Sequence, residues 1–243
     1  ININQFDRCI EQLKSMVNAF PQDLTHFHRL AQIEERSATS WNVDDALVLY
    51  CKALGAPADT TTWSEELVIE LMGNAREEAV AVDAAVFIHQ KARLIDLAAQ
   101  CYQILMKTFP QSMFLHLNYA RLNVDHLGKP KLAQRHFTKA LDLQPSNPIA
   151  IDHLADFYAS TQPTSLVAAE KLYLHSIQSN PNDPSPHYHY ACFLTTACPR
   201  PEAAERHFRK AIALGHTDPQ VLCCYGAFLE TQLEANGPNW EMR

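Results

Sequence analysis

Ala133-Gln134-Arg135-His136-Phe137-Thr138-Lys139-Ala140-Leu141-Asp142-Leu143-Gln144-Pro145 is the stretch that decides the fold. Ala133, Phe137 and Ala140 stand at i, i+4 and i+7 and so share one face of an α-helix, an aromatic knob between two flat spots. Pro145 ends that helix, because it lacks an N–H and disfavours helical geometry in the residue before it. The spacing recurs on either side. Ala98, Tyr102, Leu105 and Pro110 repeat it, as do Ala169, Tyr173, Ser176 and Pro181. Ala204, Phe208 and Ala211 follow, with His216 in place of the proline and Pro219 slightly late. Weaker copies lie upstream at Cys9, Leu13, Met16 and Pro21, and at Ala46, Tyr50, Ala53 and Pro57. Ala98, Ala133, Ala169 and Ala204 are separated by 35, 36 and 35 residues, a period that marks a helical repeat.

A second register lies in the helix before each of these. It reads Tyr119-Ala120-Arg121-Leu122, Leu154-Ala155-Asp156-Phe157, Tyr190-Ala191-Cys192-Phe193 and Tyr225-Gly226-Ala227-Phe228. Leu30-Ala31-Gln32-Ile33 and Ala84-Ala85-Val86-Phe87 fit the same frame. A small residue there lets two helices approach to about 8–10 Å, and the aromatic of the second helix fills the space beside it. One pair cannot bury its stripe alone, whereas stacked pairs can. An all-α array of antiparallel helix pairs is expected.

Composition agrees. Hydrophobic residues make up 47% of the chain, enough for a core, and the 6 glycines are too few for hairpins or phosphate-binding loops. A net charge of −7 provides no basic footprint for nucleic acid. The most apolar stretch, Ala79 to Ile88, contains Asp83 and is too short for a bilayer, so no membrane partner is expected. The seven cysteines are odd in number and form no C-x-x-C pair, which reads as reduced thiols of an intracellular, cytoplasmic protein.

These columns resemble the tetratricopeptide repeat family over nearly the whole chain. The family's first-helix tryptophan is missing and its glycine stands only at Gly226, departures that resemble the half-a-tetratricopeptide variant. The resemblance implies a right-handed α-α superhelix. On that frame, residues 1–58 are N-terminal repeat-like helices and 59–77 an insertion with a short extra helix. Residues 78–235 hold repeats at 78–110, 111–146, 147–182 and 183–217 with a half repeat at 218–235, and 236–243 is a tail. Ser64 ahead of Leu67, Leu71 and Met72 reads as the cap of the extra helix.

The resemblance also implies that first helices line a concave groove where a partner binds. The groove residues expected are Asp83, Asn118, Arg121, Asp152, His153, Asp156, Tyr188, His189 and Cys192. Chaperone-binding members of the family grip a C-terminal carboxylate with lysine, asparagine and arginine. Only Asn118 and Arg121 match in type here, and Asp152 and Asp156 would repel an acidic tail. A partner with basic or neutral polar groups suits this face better. His153 and His189 add the prospect of pH sensitivity near neutrality.

No cofactor, metal or catalytic residue is expected. His187 and His189, like His26 and His28, are two apart and point in different directions on a helix. There is no H-E-x-x-H, no G-x-S-x-G and no phosphate-binding glycine loop. Val221, Leu222, Tyr225, Phe228 and Leu229 make the last helix apolar for one with a free side, which suggests part of a longer solenoid or end-on self-association through the half repeat. The function expected is a non-catalytic scaffold that binds a partner peptide or helix. Two alternatives stay open: a half-repeat scaffold in an RNA-processing complex, and a regulatory or substrate-recruiting arm of a larger enzyme.

Overall fold

Prolines punctuate the helices of the computed structural model. α8 (Pro130–Leu143), α9 (Pro148–Thr161), α11 (Pro184–Thr196), α12 (Pro201–Ala213) and α13 (Pro219–Asn236) each start on one. A first-turn N–H has no intrahelical acceptor, so proline loses nothing there. Upstream run α1 (Ile3–Ala19), α2 (Leu24–Glu34), α3 (Val43–Ala53), α4 (Glu65–Gly73), α5 (Glu78–Gln90), α6 (Ile95–Thr108) and α7 (Met113–Asp125), with α10 (Leu166–Ser179) between α9 and α11. The structure describes residues 3–34, 42–145, 147–161, 166–216 and 218–236, apart from the side chains of 3–7, 34 and 234–236. Among the described residues there is no strand, and no helix is long and apolar enough to cross a membrane.

Side-chain caps fix the starts. Asn147 Oδ1 accepts from Ile149 N at 3.0 Å, Asp183 Oδ1 from Ser185 N at 3.0 Å and Asp218 Oδ1 from Gln220 N at 2.8 Å. Ser64 Oγ accepts from Leu67 N at 3.2 Å and opens α4, the extra helix, which lies against α3 and α6. Gly215, with φ +97°, ends α12 in the left-handed region, at the pair whose proline is missing.

The chain divides into two units, residues 1–129 and 130–243, each with its own core. In the first, Ala31, Ala84, Ala85, Ala98 and Ala120 are fully buried. Tyr50 packs against Phe87 with tilted rings whose centroids are 5.1 Å apart, and Tyr102 meets Tyr119 at 6.0 Å. In the second, Ala133, Ala155, Ala169, Ala191 and Ala204 are fully buried. Phe137 meets Phe157 at 5.3 Å, Tyr173 meets Phe193 at 5.3 Å, and Phe208 meets Phe228 at 5.6 Å. Each of those partners lies twenty residues further along the chain. The second-helix aromatic thus packs against the next first helix, the same contact made once per repeat.

Candidate functional site

Two small-residue columns set how first helices face one another. In the first unit, Gln32 stands one residue past Ala31 and Asp83 two before Ala85. Gln32 Nε2 donates to Asp83 Oδ2 at 2.7 Å, and His28 Nε2 lies 2.9 Å from the same oxygen. Asn118 donates to its own helix, Nδ2 to the Phe114 carbonyl at 2.9 Å. Arg121 is half-buried and its charge reaches His89 and Tyr102. His89 is held down to about 4, first by burial and then by the charges of His126 and Arg121.

The same register pairing recurs in the second unit. Asp156 stands one past Ala155 and His189 two before Ala191, and His189 Nδ1 lies 3.7 Å from Asp156 Oδ2. The Tyr173 hydroxyl, from α10, donates to Asp156 Oδ1. One repeat on, Cys192 and Cys224 hold the equivalent positions and interact around the Tyr188 hydroxyl, which lies 3.4 Å from Cys224 Sγ. His189 titrates below the ordinary imidazole range because burial penalises its cation, a shift that Asp156 partly offsets. Burial pushes the Cys192 thiol up to about 12, so the thiol stays protonated near neutrality.

Asp152 and Tyr188 lie beneath this face and not on it, with 4% and 8% of their surfaces exposed. The second unit's helices close over both positions. Asp152 is raised to about 8 by burial, then by the negative charges of Asp156 and Asp183. Its carboxyl interacts with the fully buried Ser176 hydroxyl from α10. His153 is half-buried on α9. Of the nine residues expected at a groove, Asp83, Asn118 and Arg121 belong to the first unit, and the other six belong to the second.

The two-residue spacing of His187 and His189 separates them as helical geometry requires. His187 stacks on His207, their Nδ1 atoms 3.0 Å apart, while His189 turns to Asp156. Among the described residues no three histidine, cysteine, aspartate or glutamate side chains gather where they could hold a metal ion.

Several residues of these faces are not legible in the two columns. His28 sits three before Ala31, one position outside the register that holds Asp83 and His189. Tyr173 reads as a core knob; the available signal is tyrosine in place of phenylalanine, since a buried phenol seeks an acceptor. Glu170 is a third case. It accepts from Tyr190 at 2.9 Å and from the Arg200 fork at 2.6 and 3.0 Å, and Arg200 above all holds its carboxyl below the usual range.

No known family model matches the chain, and no curated protein matches it. Solved structures do. A thermophilic tetratricopeptide protein of Thermus thermophilus, TTC0263, superposes with a TM-score of 0.60 at 15% identity, covering 85% of this chain and 98% of that one. PilF of Pseudomonas aeruginosa gives 0.56 at 16% identity, covering 92% of this chain and 90% of its own. The human IFIT1 dimer with PPP-AAAA gives 0.59 at 16% identity, covering 95% of this chain and 60% of IFIT1. Identities this low speak for the fold alone. With its buried alanine columns and repeating aromatic contacts, the chain has the all-helical fold of the tetratricopeptide repeat proteins.

Proposed function

We propose that this chain is a non-catalytic protein-interaction scaffold that takes a partner peptide or helix on its first-helix faces. The observation that carries this reading is the register pairing of polar side chains between successive first helices, Gln32 with Asp83 and Asp156 with His189. Partly exposed acceptors and imidazoles held in a fixed register suit recognition of polar groups on an extended or helical partner. Thiols held protonated, such as Cys192, are poor nucleophiles and fit binding better than covalent chemistry. The seven free cysteines fit a reducing setting, and we place the protein inside the cell, in the cytoplasm.

The likeness to IFIT1 with PPP-AAAA raises a phosphate-rich ligand as a second reading. A net charge of −7 and the carboxylates of Asp83 and Asp156 on these faces favour the protein partner. Affinity capture with the full chain, followed by mass spectrometry, tests the choice. Proteins recovered by the wild type and lost with Asp156→Ala and His189→Ala support the scaffold, provided the purified protein then binds directly. Recovery unchanged by these variants and by Asp83→Ala would refute it.

A further inference from the structure

We propose that Cys192 of α11 and Cys224 of α13 form an oxidative modification site, closing to a reversible disulfide by exchange with the disulfide of a small thiol. The site needs no partner protein and is independent of the scaffold reading.

The repeat brings the two thiols together. Cys192 stands one residue past Ala191, and Cys224 two before Gly226. Side chains at these two positions meet tip to tip elsewhere in the chain, Gln32 with Asp83 at 2.7 Å and Asp156 with His189 at 3.7 Å. Here both positions are cysteine. Tyr188 lies one turn before Cys192 on the same face of α11, and its hydroxyl is 3.4 Å from Cys224 Sγ and also reaches Cys192. The two thiols act on each other directly as well. α11 packs against α13, and both cysteines lie on one core cluster that holds Phe208 and Phe228. A disulfide needs Cβ atoms about 3.5–4.5 Å apart, and two thiols in contact between packed helices approach that requirement.

Access separates this pair from the other cysteines. Cys192 and Cys224 are both half-buried, open on one side to a small oxidant. Cys51 and Cys101 also lie within electrostatic reach of each other, but at 1% and 0% exposure they are sealed in the core. Cys223 is exposed and sits roughly 100° round α13 from Cys224. Cys198 Sγ accepts from Arg200 Nη2 at 3.2 Å.

Closure balances as two thiol–disulfide exchanges. The Cys224 thiolate attacks one sulfur of oxidised glutathione, forming a mixed disulfide and expelling one glutathione thiolate. Cys192 then loses its proton, attacks Cys224 Sγ and expels the second glutathione thiolate. The two protein protons end on the two glutathione thiols, and the protein gives up two electrons to the glutathione disulfide. Burial above all, with the charges of Cys224 and of Asp156 from α9, raises Cys192 to about 12. Its thiolate is therefore scarce, but it is already in place for an intramolecular attack, which suits the resolving role. Excess reduced glutathione reverses both steps, so in a reducing setting the bond is transient. While it lasts, it fastens α13 to α11 and removes the free thiol at Cys192.

The test incubates the fully reduced full chain with oxidised glutathione, traps free thiols by alkylation and maps peptides without reduction. A Cys198→Ser, Cys223→Ser chain should yield the Cys192 and Cys224 peptides joined, about 2 Da lighter than their sum. Cys192→Ser should stop as a glutathione adduct on Cys224, and Cys224→Ser should give no link to Cys192. In the wild type, closure from the mixed disulfide should speed about tenfold per pH unit between about pH 7 and pH 9, as the Cys192 thiolate grows. That series decides the matter even where a serine variant fails to fold. A wild type that stops at the adduct, a link between other cysteines, or closure at a rate independent of pH overturns the proposal.

Discussion

His189 Nδ1 stands 3.7 Å from Asp156 Oδ2, and the other oxygen of that carboxylate accepts from the Tyr173 hydroxyl. One side chain therefore links α9, α10 and α11. The carboxylate favours the imidazolium, opposing the burial that lowers the His189 titration midpoint. Asp156→Asn should move that midpoint further down, read by NMR of the His189 ring. A midpoint that stays or rises would contradict the pairing. Tyr173→Phe should cost about 1.5–3 kcal/mol of stability, the net worth of one hydrogen bond to a charged group.

Asp152 makes stability fall as pH rises. Its folded carboxyl titrates at about 8 against 3.8 for the free group, so between those values the native chain binds more protons than the unfolded one. The stabilising proton is fully present below pH 3.8 and is lost as pH rises through 8. Asp152→Asn should remove this slope and raise stability at pH 8 by about 1–3 kcal/mol. Urea unfolding at several pH values checks it; a variant that is less stable at pH 8 would count against the buried proton.

The His187–His207 stack acts in the opposite direction. His207 is lowered to about 4 by burial and by His187, from an ordinary 6.5. The unfolded chain thus binds more protons between those values, and stability is lost as pH falls from 6.5 towards 4. His207→Phe should flatten that part of the stability curve. An unchanged slope would show that the two rings titrate as if free.

Core geometry can be tested by size. Ala191 is fully buried on α11, and Ala191→Leu should destabilise by about 1–3 kcal/mol through overpacking. Phe208→Ala, which empties the knob against Phe228, should cost about 3–5 kcal/mol. Leu233→Ala, at a position 71% exposed, should change little. Comparable losses at all three sites would contradict the packing.

The Ser64 hydroxyl oxygen accepts from the Leu67 backbone N–H in the first turn of α4. Ser64→Ala should cost about 1 kcal/mol and Ser64→Asn much less, since asparagine caps as well. Hydrogen exchange at Leu67 reads the loss locally.

The repeat was legible because it rests on local rules. Ala133, Phe137 and Ala140 share a face by helical period alone, and all three are buried as that face requires. The capping role of Ser64 and the divergence of His187 from His189 follow from spacing in the same way. The polar faces were legible only in part. Asp83, Asp156 and His189 fall in columns that periodicity defines, but their partners come from other helices.

Periodicity and side-chain volume were thus sufficient, from the chain alone, for helix pairs stacked through alanine-sized gaps. Tertiary structure decided the rest: that Tyr173 reaches Asp156, that Glu170 is gripped by Arg200, and that Asp152 lies beneath its face while Asp156 stands on it. The reason is physical. A helix dictates which of its own residues share a face, whereas the partner of a polar tip depends on the offset and depth of neighbouring helices, which only their packing sets.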